Sequence, residues 1–375
     1  MPVRVIQATS DEAKGIIHHV EKELSAHHSP DLFHILQELV WATARTLASR
    51  TQQAANELEE IKIQLQKLTE KKQTLLTIFE NESSLSSGVS DFVKLLDQEI
   101  NALAEKKVSA ELKWKTTSEQ AAEAKELIQT ISQEYHPYNL ATGQQRTSEE
   151  LNISLNKLFS QIKELAVAAD LSDSANRRIA KASRLIGKMV ATQNFYFETI
   201  KIKVEALTLQ EEVEQAMYNQ LIPALYLDLV ASRAKTANQR QEVRQMSEQL
   251  LERLKAENSP IWQLSQEELE VVLQVSLECA QVFQRSSSCV EGRNGQLSLR
   301  HHNLHRMSNR KLNALTTIHN YWIKRPDGTT AAERFFGSKP KELFEHLYKQ
   351  MPLPPRPAKK RQKQQPKNYL TLLTA

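Results

Sequence analysis

Glu291 stands in the one stretch whose residue types could handle phosphate chemistry, Ser286-Ser287-Ser288-Cys289-Val290-Glu291-Gly292-Arg293-Asn294-Gly295-Gln296-Leu297. Gly292 and Gly295 permit close backbone approach. Arg293, Asn294, Arg300, His301, His302, Arg306, Arg310 and Lys311 supply donors suited to phosphates and base edges. A carboxylate set in a basic face makes sense where a metal ion must sit beside a nucleic-acid phosphate. Two Mg²⁺ ions roughly 4 Å apart, held by several carboxylates, activate water and stabilise the leaving oxygen. A lone Glu is otherwise a solvated side chain, so Glu291 needs partners. Asp11, at the end of an N-terminal apolar segment, is the first candidate, and it competes with an ordinary role as a helix N-cap. Asp31, beside Phe33 and His34, is a possible additional acid, and after Pro30 it also suits a first-turn cap. His301, His302 and His305 have ligand-like spacing, but with only Cys289 nearby they do not make a zinc set.

These residues must be positioned by a mostly helical chain. Among 375 residues there are only eight glycines, against roughly 26 at average usage. Aromatic content is 6%, and Ala, Leu, Glu, Gln and Lys dominate, all good helix formers. Two cysteines suggest neither a disulfide scaffold nor a metal site, which fits a reduced, intracellular setting. No apolar run approaches the ~20 residues of a membrane span. The N-terminus lacks the apolar core of a signal peptide, so neither membrane insertion nor export is expected. A P-loop, a Gly-rich dinucleotide turn and a Ser-His-Asp order are likewise missing from the sequence.

Charge divides the chain. From Arg285 onward there are eighteen Lys/Arg and five Asp/Glu, a net of +13, while the whole chain is +4. Residues 1–284 therefore carry −9. Such a basic segment, ending in Lys359-Lys360-Arg361 with Lys363 and Lys367, attracts nucleic acid in a salt-dependent way.

Val3-Arg4-Val5-Ile6 reads as a short strand. Thr9, Ser10 or Asp11 then caps a helix to about Ala26, and Ser29-Pro30-Asp31 opens another. The clearest periodicity follows. Ala44, Leu47, Thr51, Ala54, Leu58, Ile61, Leu65, Leu68, Lys72, Leu75 and Phe79 alternate by three and four, a heptad seam. The seam resumes from Val93 through Leu96, Ile100, Leu103, Lys107, Ala110, Trp114, Thr117, Ala121, Ala124, Ile128 and Ile131 to Tyr135. Two runs joined by a polar tip predict an antiparallel coiled-coil hairpin with arms on the order of 55 Å. It ends before Pro137. Thr147-Ser148-Glu149-Glu150 starts a helical block, with further helices over 172–193, 195–206, 210–232 and 236–256. Another begins at Ser265-Gln266-Glu267-Glu268. Helices are expected over 308–322, from Ala331 and from Pro340, and the tail from Met351 is expected to be disordered.

The residues from Ser288 to Gly295, followed by Leu299-Arg300-His301-His302 and a helix, resemble the block around the last acid of DDE-type transposases, whose catalytic fold is RNase H-like. Asp327-Gly328-Thr329-Thr330-Ala331-Ala332-Glu333-Arg334-Phe335-Phe336-Gly337 resembles the tail that follows that block. Gln7 to Gly15 is similar to the second-acid strand and helix, and Ser29-Pro30-Asp31-Leu32-Phe33-His34 to the Asp-x-Phe-His segment after it. The resemblance extends to cyanobacterial-type transposase-like proteins with a C-terminal domain of unknown function, and covers about a third of the chain. It implies that Asp11 and Glu291 are the second and third acids, that both are catalytic and bind Mg²⁺, and that the helices between them are an insertion.

The first acid belongs on an earlier strand, and only ten residues precede Asp11. The chain thus reads as the C-terminal part of such a transposase, one that binds DNA but does not by itself cut or join it. A coiled-coil structural or interaction protein is the alternative. The expected architecture is mainly α. Residues 1–40 form a partial RNase H-like segment with one or two strands, 41–136 the coiled-coil hairpin and 147–284 the helical insertion. Residues 285–350 form the basic segment with the third-acid helix, and 351–375 the basic tail. DNA and a second copy, self-associating through the coiled coil, are the expected partners.

Overall fold

The computed structural model describes residues 4–80, 87–234, 236–255, 259–286, 297–298, 307–325 and 327–351. The chain divides into two compact units, Val5–Glu291 and Gly292–Ala375, the latter with Met1–Arg4.

The larger unit is helical apart from one small sheet. Strand β1, Gln7–Ser10, pairs in parallel with β2, His27–Pro30, in the register Gln7↔His27 to Ser10↔Pro30. Of the strand expected at Val3–Ile6, Val3 lies outside the described residues, and Arg4, Val5 and Ile6 form no strand; the strand starts at Gln7 instead. Pairing with β2 decides the position, and Ile6 only contributes its carbonyl to His27 N–H at 2.9 Å. The crossover helix α1, Lys14–His18, continues as a π turn over His19–Glu23. It begins later than Thr9–Asp11 because those residues end the strand and lead out of it; its N-cap position is Ala13, which offers no side-chain cap. Pro30 closes β2, where its missing N–H costs no ladder bond.

Helix α2, Leu32–Leu39, buries Leu32, Ile35 and Leu39, and runs through a π turn at Val40–Ala44 into α3, Arg45–Glu80. Helix α4 follows, Ser87–Glu134. At 36 residues α3 is about 54 Å long. The two helices pack side by side with opposite direction: Lys72 meets Asp97, and Glu57 meets Lys113 at 2.7 Å. From Ala44 to Leu75, each seam position named from the sequence is buried or half-buried. In α4 the same holds from Val93 to Tyr135 except for Trp114, which is 41% exposed.

The base of this pair is set into a bundle of α5 (Ser148–Ala168), α6 (Asp173–Ser183), α7 (Ile186–Glu205), α8 (Glu211–Ala216), α9 (Ile222–Arg233), α10 (Ala237–Leu254) and α11 (Gln266–Val282). The starts of α5 and α11 are those expected. Thr147 with Glu150, and Ser265 with Glu268, form reciprocal capping boxes that satisfy two orphan N–H groups each. The break expected at residue 194 lies instead at Arg184–Leu185, and Gln193 and Tyr196 are buried inside the continuous α7. Helix α8 passes into α9 through a π turn at Met217–Leu221. One core joins the inner faces of α2, α4, α5, α7, α9 and α11, with Leu39, Leu47, Ile131, Tyr135, Leu155, Ile162 and Met189 fully covered.

In the smaller unit the described helices are α12 (Asn309–Tyr321), α13 (Ala331–Phe336) and α14 (Leu343–Gln350). Between α12 and α13 a turn is closed by a bridge from Lys324 to Thr330. Asp327 Oδ1 accepts from Thr329 N–H at 2.8 Å. Gly328 takes φ +79°, a conformation that favours glycine. The chain is therefore mainly helical with a single two-stranded parallel sheet among its described residues, and none of its described helices is long and apolar enough to cross a membrane.

Candidate functional site

Parallel pairing of β1 and β2 fixes where two of the candidate acids emerge. Ser10 and Pro30 are register partners, so Asp11 and Asp31 leave the sheet side by side at the same edge. Asp31 N–H donates to Ser10 O at 3.1 Å, extending the pairing by one bond. Asp11 is exposed. Asp31 is 2% exposed and caps α2, its Oδ1 accepting from Phe33 N–H at 2.8 Å. Its other oxygen lies 3.9 Å from His34 Nε2. Here the cap role that the sequence allowed for Asp31 is realised. For Asp11 it is not, since α1 starts at Lys14.

The chain returns to this edge after the whole helical body. Leu32 N–H, next to Asp31, donates to Arg285 O at 2.9 Å. Arg285 is six positions before Glu291. Glu291, Arg293, Asn294, Arg300, His301, His302 and Arg306 lie outside the described residues. Arg310 and Lys311 open α12 and are exposed.

Arg285 was legible only as the first cation of a basic segment; in the fold it belongs to the larger unit. Its guanidinium donates to Ser132 O at 2.6 Å, to Ser132 Oγ at 3.0 Å and to the ring of His136. His136 is 5% exposed, and its Nδ1 lies 2.7 Å from Tyr226 Oη. Arginine can only donate, so His136 Nε2 accepts and Nδ1–H donates to Tyr226. Burial, then the Arg285 charge, holds His136 well below the usual histidine range. Burial also depresses Arg285 itself. Tyr135, Tyr138, Tyr196, Tyr226 and Phe283 pack edge to face around this point, and burial raises the tyrosine hydroxyls. One arginine thereby ties three segments: the end of α4, the start of α2 and the approach to Glu291.

A second polar group faces the sheet. His28, 5% exposed, has Nε2 at 2.9 Å from Ser10 Oγ and Nδ1 at 4.0 Å from Glu12 Oε1. Glu12 is ion-paired with Lys188 of α7. His27 stacks on Phe195 with ring planes 8° apart and bonds Thr192 Oγ1 at 3.1 Å. Burial lowers both histidines; their mutual proximity adds to it at His27, and at His28 Glu12 opposes the shift while Lys188 adds to it. The sequence flagged neither, although His27-His28 directly precede Ser29-Pro30-Asp31. Cys279, buried in α11, has its thiol pushed up to about 11 by burial, which removes it as a nucleophile.

Magnesium is the cofactor that the resemblance implies. One Asp31 oxygen is engaged by the α2 backbone, and no group of three or more His, Cys, Asp or Glu among the described residues is arranged to hold a metal ion. The described donors alone do not fit a metal pair.

Residues 217–363 match the model of a family of unknown function, DUF6399. That span runs from the π turn at Met217 through α9, α10 and α11 into the basic segment. It takes in Glu291, Arg310 and Lys311 and leaves out Asp11 and Asp31. No curated protein and no solved structure matches the chain.

Proposed function

We infer that this chain is a DNA-binding protein of the DDE-transposase type, with Asp11 and Glu291 as its two acids, Asp31 as a possible additional one, and phosphate contacts in the basic segment. One observation carries the reading. The backbone bonds Asp31 N–H to Ser10 O and Leu32 N–H to Arg285 O bring the chain beside Asp11 and Asp31, and a segment more than 250 residues on, to one sheet edge. A parallel strand–helix–strand unit with an acid just past each strand is also what a remnant of an RNase H-like sheet retains. The helices from α3 to α11 are then an insertion between acids, and Arg310, Lys311 and the net positive charge after Arg285 supply attraction to phosphate.

Asp31 is committed to capping α2, which leaves Asp11 and Glu291 without the first acid of the triad, and this polypeptide alone does not cut or join DNA. The test is strand transfer by the purified protein in Mg²⁺, beside DNA retention across a salt gradient. Salt-sensitive retention without strand transfer is expected. Mg²⁺-dependent strand transfer that disappears in Glu291→Gln refutes the inactivity, and retention indifferent to salt refutes the DNA reading.

A second reading has its own support. Apart from the exposed Trp114, the described seam positions of α3 and α4 are buried or half-buried, which favours an antiparallel coiled-coil arm whose work is to join a partner or a second copy. Removing residues 60–110 and replacing them with a short turn distinguishes the two. DNA retention survives under the first reading, and self-association is lost under the second.

A further inference from the structure

The smaller unit exposes large rings among its cations. Trp322, Phe335, Phe336, Phe344 and Tyr348 are between 44% and 66% exposed. Soluble proteins seldom leave so many large aromatic side chains in water without use for them. Phe344 and Tyr348 lie one turn apart on α14, ring planes 17° apart and centroids 6.1 Å apart, and so present one aromatic face. Lys341 and Lys349 flank that pair and are exposed, as are Lys324 and Arg325 after Trp322. Meanwhile three nearby carboxylates are occupied by backbone N–H groups. Asp327 accepts from Thr329 at 2.8 Å, Glu333 from Thr330 at 2.6 Å and Glu342 from Glu345 at 2.9 Å. Exposed cations thus lie in sequence beside bare rings, while three of the four acids accept from backbone N–H groups and Glu345, next to Phe344, is the exposed exception.

That chemistry fits a polymer with one negative charge and one flat apolar ring per unit. A duplex buries its ring faces in its own stack and offers only phosphates to such a surface. Unpaired bases offer both. We propose that the aromatic and cationic face of α14 binds single-stranded nucleic acid, stacking bases on Phe344 and Tyr348 and pairing phosphates with Lys341 and Lys349. The proposal rests on the DNA-binding reading and deepens it, since phosphate contact alone gives no preference for unpaired strands.

The experiment uses the full chain, with fluorescence anisotropy of a labelled oligothymidylate of about 20 nucleotides and of a duplex of equal length. The single strand is expected to bind about tenfold tighter or more at the same salt. The double substitution F344A/Y348A is expected to weaken single-strand binding by at least about tenfold and to leave the duplex within about twofold. Both side chains are exposed, so the fold should survive, and circular dichroism checks this. K341Q/K349Q should weaken both forms. Equal binding of the two forms, with salt-dependent duplex binding kept, overturns this proposal and leaves the DNA reading standing. Binding of neither form overturns both. If sedimentation shows that F344A/Y348A turns a dimer into a monomer while single-strand affinity is unchanged, the face belongs to a second copy and the proposal fails.

Discussion

Arg285 holds together what the chain separates most widely. Its side chain satisfies Ser132 O and His136, and its carbonyl satisfies Leu32 N–H. Arg285→Ala leaves buried acceptors without donors and is expected to cost about 3 kcal/mol in urea denaturation. Arg285→Lys should recover only part, because an ammonium cannot reproduce a planar fork reaching two groups at once. Three histidines set a second expectation. Burial lowers His27, His28 and His136, so as pH falls below the unfolded value near 6.5 the unfolded chain takes up protons that the folded one refuses. Stability is then full above that value and is lost on acidification until the folded pKa values are reached. Thermal midpoints measured from pH 7.5 to 5.5 should fall, and His136→Gln should flatten the decline; a midpoint that rises as the pH is lowered contradicts the assignment. At this scale the sequence was informative where side-chain chemistry is local. Asp31 as a cap, Thr147 and Ser265 as helix starts follow from short spacings. His136 and Arg285 do not, because 149 positions separate them and nothing near either names the other.

Periodicity is the property of whole elements that survives in a sequence, and the α3–α4 pair shows it. Positions spaced by three and four from Ala44 to Leu75 are the covered ones because that spacing keeps a stripe on one side of a helix. Depth along the pair was not legible. Leu47, at the base, is 0% exposed and packs with Ile131 and Tyr135 in the main core, whereas Leu65 and Leu75 are only half-buried between two helices. Leu47→Ala is therefore expected to destabilise by about 2–5 kcal/mol, and Leu75→Ala by clearly less. Equal losses would mean that the arm and the bundle share one cooperative core. The Lys72–Asp97 pair, with side chains 29% and 44% exposed, should contribute less than about 1 kcal/mol in a double-mutant cycle. Strands were harder to read than helices. Val3–Ile6 has the residue types of a strand, yet Gln7–Ser10 is the segment that pairs, since a two-stranded sheet is decided by its partner His27–Pro30 some twenty residues on.

Across the whole molecule, charge and fold divide at nearly the same place. The basic run begins at Arg285, while the compact units divide after Glu291, because Arg285 is held inside the helical unit by His136 and Ser132. The functional boundary for phosphate binding should follow the compact units. Of the eighteen basic residues from Arg285 onward, seventeen lie in the smaller unit, against four acids, a net of +13 for residues 292–375. Residues 5–291 carry the opposite sign. Binding that neutralises several phosphates releases a counterion for each, so the logarithm of affinity should fall linearly with the logarithm of salt, at a slope of about −0.9 per duplex phosphate contacted. A fragment of residues 292–375 is expected to keep most of the slope of the full chain, and a fragment ending at Glu291 to lose it. Removing residues 352–375, which carry Lys359, Lys360, Arg361, Lys363 and Lys367, should lower the slope without changing which strand form is preferred, because point charges on a tail read no base. A slope that stays whole in the fragment ending at Glu291 would move the phosphate contacts to the helical body, and with them the role assigned to the basic segment.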